Sequence, residues 1–566
     1  DPADEVRLEA AIALETLAQH SLPQQLVSSV AEQMRRLVRD PIERVRQAAL
    51  VMLGHVGTQQ TYPVLIDALT DPSPQVREIA VGMLVRAGEP TVPMILPELG
   101  IAAPGRRKMA AVVLSQINPA QFGDLIKTCI YGNLVAIYRN HSYLEAVASC
   151  GAYSSVVVLR STLNEQNDRL IDDIFYLLSA IHPHGTVQLI KDSLRSPDPY
   201  VRANATEALE ALTAPQTASL VSALFDPEVT SAHKLQISTE TWDTVHPATA
   251  EAIRLMIADP HDSWLRAVAI YLLGEIGAAL ARAEQPSAQG SDSPGNAADA
   301  GMHDGRGAGA APERRRPRRP PPADLRGRSD GVDRPDVLAA QAGAGAAGPP
   351  STPVERLFTL VEIDRMLETM QQDPADQVQA AVGASRQMLA GPHGSATFDR
   401  EHPRTLSAVE KIIFLKGVPF FQGMTIDQLK VLVTVCEERP YASGEYIYRQ
   451  GEPGGALYVI VGGRVGIEQE KRKGSFARVA TIEARSYFGE MNLFDSSPHP
   501  VSAITIQNTL ILRLCREPLI ALMRQNPDLS LQLIGVLSQR LREANDRIAD
   551  LTRTRPRELH RLFEQL

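Results

Sequence analysis

Between residues 488 and 502 the chain reads FGEMNLFDSSPHPVS, and this stretch holds the side chains with the most chemical capacity. Gly489 has no Cβ, so another group can approach its backbone closely. A helix begun at Glu490 and Met491 would aim unpaired N–H groups at an anion. The Glu490 carboxylate is a natural acceptor for a sugar hydroxyl, and Ser502 ends the stretch with a further hydroxyl. His499, set between Pro498 and Pro500, is only partly protonated near neutral pH and has no bidentate fork. Pro500 also removes an N–H that an anion could have used. With Val501, these residues form a candidate binding set for a phosphate-bearing ligand: Gly489, Glu490, Met491, His499, Val501 and Ser502.

Elsewhere chemistry is sparse. No nucleophile, base and orienting group recur at catalytic spacing, and no glycine-rich nucleotide loop of the Walker type occurs. His182 and His184 in IHPHG have a proline between them and no neighbouring cysteine, which argues against a metal. Cys129, Cys150, Cys436 and Cys515 stand far apart, so neither a disulfide framework nor a zinc site is expected, and a reducing cytoplasm fits. We expect no catalytic residue, no metal and no cofactor.

At 566 residues the chain is too long for one core. Hydrophobic residues make up 44% and charged residues 22%, and 57 basic against 66 acidic side chains leave a net charge of −9, which points neither to nucleic acid nor to membrane. No uninterrupted apolar run is long enough to span a bilayer and no signal segment is present, so a soluble chain is expected. It begins at Asp1 already inside a helical pattern, which leaves room for something upstream.

A repeat dominates the first half. Asp40-Pro41 with Val45-Arg46 and Ala48-Ala49 returns as Asp71-Pro72, Val76-Arg77 and Ala80, a step of 31 residues from Val45 to Val76. The same step reaches Arg107 and Tyr138 in weaker contexts, then with a slip of one Leu170 and Val201; Asp259-Pro260 with Leu265-Arg266 is the last clear copy. About eight units would fill residues 40–280, and Asp1-Pro2 with Val6-Arg7 suggests a ninth. Asp-Pro should act as helix N-cap and first helical residue, and apolar positions then recur every three or four residues. A lone helix pair cannot bury that face, so stacking into an α-solenoid follows. Arg46, Arg77, Arg202 and Arg266 either form a phosphate stripe or tie one repeat to the next through a carbonyl or carboxylate, and the second is expected. The "DP…VRxAA" pattern resembles short HEAT repeats, a resemblance that implies a protein partner for the solenoid.

From Ala281 to Pro350 the chain has no Ile, Phe, Tyr, Trp or Lys, while Ala, Gly, Pro and Arg crowd together, including the run Arg314 to Arg319. Such composition cannot offset the entropy of ordering, so disorder is expected. It is also what a GC-rich gene gives when read out of frame. Because the pattern resumes at Asp373-Pro374 with Val378, further repeats are expected once to have filled the gap.

After Ser407 a helical stretch leads into YASGEYIYRQGEPGGALYVIVGGRVGIEQE, with strand-like runs at 445–449, 456–461 and 464–468 between glycines, the pattern of a small antiparallel roll. Together with "YFGEMNLF", residues 407–550 resemble the cyclic-nucleotide-binding domain of catabolite activator proteins, protein kinase A regulatory subunits and nucleotide-gated channels. The resemblance implies a phosphate-binding cassette at Phe488–Ser502, with Glu490 on the ribose 2′-hydroxyl and cAMP or cGMP as ligand. The chain departs from the family at His499, where an arginine usually clamps the cyclic phosphate. A hydrogen bond to a charged group is worth about 1.5–3 kcal/mol, so the change costs roughly tenfold to a hundred-and-fifty-fold in affinity. The helix after Asn526-Pro527, carrying Leu529, Leu533, Val536, Leu537, Leu541 and Ile548, either packs on its own roll or, as in the family, closes over ligand and pairs subunits. Residues 553–566 are too few for a DNA-reading winged helix-turn-helix.

The expected fold is multidomain: a HEAT-like α-solenoid (1–280), an Ala/Gly/Pro/Arg-rich linker (281–351), a residual helical repeat (352–405), a β-roll with flanking helices that binds cyclic nucleotide (406–552) and a basic tail (553–566). The expected function is a non-enzymatic, cytoplasmic regulatory scaffold. The alternative is the cytosolic part of a transporter whose membrane domain lies upstream of residue 1.

Overall fold

Asp-Pro turns and apolar spacing do write a stack of helices. A computed structural model describes residues 27–100, 104–243, 246–284, 358–390, 405–472, 475–490, 493 and 497–554, with isolated positions before 27. Its helices run α1 (Val27–Leu37), α2 (Glu43–Val56), α3 (Tyr62–Asp67), α4 (Pro74–Ala87), α5 (Val92–Ile95), α6 (Pro104–Ile117), α7 (Pro119–Ala146), α8 (Ser154–Ile181), α9 (His184–Leu194), α10 (Pro199–Glu210), α11 (Pro215–Phe225), α12 (Ser231–Trp242), α13 (Thr249–Ile257), α14 (Ser263–Glu284), α15 (Leu360–Thr369) and α16 (Asp376–Ala390).

The aspartate of the repeat does something slightly different from what its spacing suggests. Asp198 is an N-cap, with Pro199 opening α10, but it stands where Ile42 and Ser73 stand, two residues after Ser196 in a Ser196-Pro197 turn whose carbonyls Arg202 takes. At Asp40 and Asp71 the carboxylate instead accepts the N–H two residues on, Ile42 at 2.8 Å and Ser73 at 2.9 Å, and the helix starts later, after N-caps Ile42 and Ser73. The side chain thus folds the turn before the helix rather than the helix end itself.

The arginines tie repeats together. Arg77 donates backward to the Asp71 and Pro72 carbonyls, whereas four others reach the Asp-Pro aspartate of the following repeat: Arg7 to Asp40 at 3.0 Å, Arg46 to Asp71 at 2.9 Å, Arg202 to Asp226 at 3.4 Å and Arg266 to Asp373 at 3.0 Å. The same guanidinium donates backward to its own turn, as Arg46 does to the Asp40 carbonyl and Arg266 to the Asp259 carbonyl at 2.7 Å. One side chain therefore fixes both the local turn and the stacking distance, and it is not free to hold phosphate.

Two expectations about the repeat are corrected. The weaker copies at Tyr138 and Leu170 fall inside α7 and α8, each 28 residues long. No Asp-Pro interrupts those stretches, so the helices run on and the 31-residue period lapses there. The second concerns the gap. Arg266 meets Asp373 as Arg46 meets Asp71, Ser385 donates to the Ile270 carbonyl at 3.1 Å, and a Cβ on Gly274 would lie 2.5 Å from the Ser385 hydroxyl oxygen. Helix α16 is therefore stacked on α14 as its immediate successor, and no missing repeat fits between them. Helix α14 continues to Glu284, beyond the residue 280 at which the solenoid was expected to end. The linker from 285, the Arg314–Arg319 run, residues 391–404 and the tail from 555 lie outside the described residues. Helix α14 is also long and apolar enough to cross a membrane, with mean hydropathy 1.5 over its best window, but 67% of that window is buried in the stack.

The C-terminal region adds α17 (Ala408–Lys416) and α18 (Ile426–Val433), each opened by a capping box from Ser407 or Thr425. Eight strands follow: β1 (Cys436–Tyr441), β2 (Tyr446–Tyr448), β3 (Ala456–Gly462), β4 (Arg464–Arg472), β5 (Ser475–Glu483), β6 (Tyr487–Phe488), β7 (Ser502–Thr505) and β8 (Thr509–Cys515). They form two four-stranded antiparallel sheets, in orders β1-β8-β3-β6 and β2-β7-β4-β5, closed by α19 (Arg516–Gln525) and α20 (Pro527–Thr554). This is the expected helical solenoid with a β-roll and flanking helices.

Two large cores organise the molecule. One joins α1 to α7 with the second half of α8 and α9 to α11, from Ala31 to Val221. The other is continuous from Tyr143 and Leu163 through Ile253, Leu273 and Val382 of the solenoid to Ile412, Leu429, Leu457, Leu512 and Leu533 of the C-terminal region. Helices α7 and α8 contribute to both, Tyr138 to the first and Tyr143 to the second.

Candidate functional site

The cassette is built across three strand ends. Strand β6 pairs with β3, Phe488 opposite Tyr458, and delivers Gly489 with φ +85° beside the start of β3. A Cβ there would lie 2.8 Å from the Ala456 carbonyl oxygen and 3.0 Å from the Tyr458 ring, so glycine is required twice, by backbone conformation and by space. Glu490 follows half-buried, and its carbonyl accepts the Leu493 N–H at 3.2 Å. Met491 and most of the helical turn expected after it lie outside the described residues.

The second wall returns along residues 497–502 against the turn after β2. His499 donates its N–H to the Glu452 carbonyl and accepts from the Gly451 N–H, both at 2.9 Å, and Pro498 bridges Pro453. Ser502 is buried and its hydroxyl oxygen accepts the Gln450 N–H at 2.8 Å, so this residue anchors the wall. Val501 is half-buried and packs against the roll's inner cluster of Tyr448, Tyr458, Ile460 and Phe488.

The His499 side chain is the unexpected part. It is only 3% exposed and lies flat on the Tyr448 ring, centroids 3.6 Å apart and planes 8° from parallel. Tyr448 in turn contacts Tyr458 and Phe488 at 5.5 and 6.0 Å, making an aromatic floor. Burial pushes the imidazole below its ordinary pKa, against the opposing pull of Glu452. Burial also pushes the Tyr448 phenol up, helped by Tyr458 and Glu490, so it stays neutral. The structure thus brings Gly489, Glu490, His499, Val501 and Ser502 to one rim. It adds Tyr448, Gln450 and Glu452, which sequence reasoning missed because their partners lie far along the chain.

His182, the other histidine singled out by sequence, hydrogen-bonds the Leu212 carbonyl at 3.1 Å through Nε2 and joins α8 to the α10–α11 turn.

A glycine-wrapped cassette at the rim of an eight-stranded roll, carried behind a helical repeat stack, defines a regulatory ligand-binding module on a solenoid. Residues 438–526 match the cyclic nucleotide-binding domain family model, and residues 1–84 match the model for HEAT repeats. The protein carries HEAT repeats at its N-terminus and a cyclic nucleotide-binding domain at its C-terminus. It is 33% identical over 131 residues to the cyclic AMP receptor protein of Thermus thermophilus, covering 23% of this chain and 61% of that protein. To the CRP-like cAMP-activated global transcriptional regulator of Mycobacterium tuberculosis it is 30% identical over 143 residues, 25% of this chain and 63% of that one. A solved structure of the Thermus thermophilus catabolite activator protein is similar at 31% identity over 24% of this chain and 63% of the other, with a TM-score of 0.21. The chain thus spans somewhat under two thirds of these relatives, 61% and 63% of the two curated proteins.

Proposed function

We propose that this is a non-enzymatic, cytoplasmic regulatory scaffold whose C-terminal roll takes cAMP or cGMP in the cassette of Gly489, Glu490, Met491, His499, Val501 and Ser502, and whose repeats engage a protein partner differently when the nucleotide is bound. The names of two relatives, a cyclic AMP receptor protein and a cAMP-activated regulator, support the ligand class.

The observation that carries the regulatory half is the shared core. Helices α17 and α18 pack on the solenoid and on the roll at once. The Glu165 carboxylate of α8 accepts the Ile426 N–H at the start of α18, at 2.9 and 3.0 Å, and Arg169 pairs with Asp427 at 3.1 Å. Burial pushes the Glu165 carboxyl up, partly offset by that N–H and by Lys416. Any ligand that favours one position of α18 therefore also favours one arrangement of α8.

Helix α20 supports pairing of two copies. Leu529 and Leu533 are buried on their own domain, but Leu531, Ile534 and Leu541 on the same helix are 67%, 57% and 65% exposed. Ile534, Leu537, Leu541, Ala544, Ile548 and Leu551 follow a three-four spacing, the pattern of a two-helix seam.

Calorimetric titration of the full chain with cAMP and with cGMP tests the sensor. Binding heat with at least one is expected, together with changed hydrogen exchange in α8 and α18. No heat at millimolar ligand would leave only the scaffold role.

A further inference from the structure

We infer that His499 serves as the cationic partner of the ligand's phosphate only as an imidazolium, so that the cassette takes up a proton together with its nucleotide. The inference rests on the cyclic-nucleotide reading above and specifies how the site works without the family's arginine.

Three observations carry it. First, His499 is 3% exposed overall and no hydrogen bond to either ring nitrogen occurs among the described residues, yet neither nitrogen is among the fully enclosed atoms without a partner, so the ring edge opens on the rim. An imidazole enclosed on its faces and open only at its edge offers that edge to a ligand atom. Second, the residue is held in place. Its backbone N–H and carbonyl are both bonded to the turn after β2, and one face of its ring is taken by Tyr448. Stacking uses the face; the nitrogens lie in the ring plane and stay available at its edge. Third, no permanent cation replaces it within the cassette. Arg449, at the start of the turn after β2 that the His499 backbone bonds, lies over the Tyr446 ring at 3.8 Å, and Pro500 has no N–H to offer.

The groups facing the imidazole decide its charge. From β2 comes the neutral Tyr448 ring, whose π face favours a cation. From the following turn comes Glu452, which also favours the imidazolium, and beyond Tyr448 lies Glu490. Burial acts the other way and is the larger influence, so the free site is neutral near pH 7. A phosphodiester anion at the ring edge adds opposite charge and raises the imidazole pKa in the complex. Between the free and bound values, binding one nucleotide binds one proton. Affinity then rises as pH falls, by up to about tenfold per pH unit. A cyclic phosphate is a monoanion across this range and does not itself titrate, so the slope belongs to the protein.

The test is calorimetry of the full chain with cAMP from about pH 8 down to about pH 5.5, the range in which histidine changes charge. Each pH is run in two buffers of different ionisation heat, with circular dichroism to show the fold intact. Expected are an affinity that climbs as pH falls and a proton uptake approaching one per ligand. His499→Gln is expected to bind weakly with no slope, and His499→Arg tightly with no slope. A flat wild-type profile without proton uptake overturns the inference, as does an unchanged slope in His499→Gln. If His499→Arg binds while the wild type binds at no pH, this inference fails and the nucleotide site stands. If neither binds at any pH, the nucleotide reading itself fails.

Discussion

At the scale of single residues, the cassette depends on one backbone conformation. Gly489 sits at φ +85° with the Ala456 carbonyl where a Cβ would go, and that carbonyl belongs to a strand that cannot yield. Gly489→Ala should cost about 2–4 kcal/mol, combining left-handed strain with overpacking. Urea unfolding measures it, and nucleotide affinity should fall with it. Phe488–Ser502 stood out in the sequence chiefly through its resemblance to the family's cassette, and the structure adds that Gly489, Glu490, His499 and Ser502 come to one rim. The pairing of His499 with Tyr448 was not legible: the two belong to different strands, and only closure of the roll lays one ring on the other. Ser502 read as a ligand hydroxyl, yet its first task is to accept the Gln450 N–H.

At the scale of elements, the arginine ladder converts a sequence period into a stacking distance. Arg266 and Asp373 are both largely buried, 9% and 11% exposed at the side chain, so removing one partner strands the other. Arg266→Ala is expected to destabilise by about 3–5 kcal/mol. A double-mutant cycle with Asp373→Ala should return a coupling energy of about 0.5–3 kcal/mol, and a value near zero would mean the pair does not join the repeats. The period itself was legible from Asp-Pro and Val-Arg. What it could not reveal was direction, that Arg46, Arg202 and Arg266 look forward to the next aspartate while Arg77 turns back to its own turn. Nor could it show where α7 and α8 ignore the period, since uninterrupted apolar spacing is compatible with two short helices or one long one.

At the scale of the molecule, the stacking of α16 on α14 makes a prediction about what lies between them in sequence. Replacing residues 285–357 with a flexible Gly/Ser linker should leave the thermal midpoint and nucleotide binding of the chain unchanged, because the Arg266–Asp373 and Ser385–Ile270 contacts need nothing from that segment. A large fall in the midpoint would mean the segment contributes to the fold. The composition shift at Ala281 precedes the last described residue of α14, Glu284, by three positions, whereas the adjacency of the flanking repeats required the fold. The continuous core has a further consequence, for synthesis on the ribosome. The side chains of α8 and α14 that face α18 cannot be covered until the C-terminal region has emerged, and the Glu165–Ile426 contact spans 261 positions. Between the emergence of α8 and that of α18 a nascent chain therefore displays an uncovered apolar surface, and closure across so long a separation is slow.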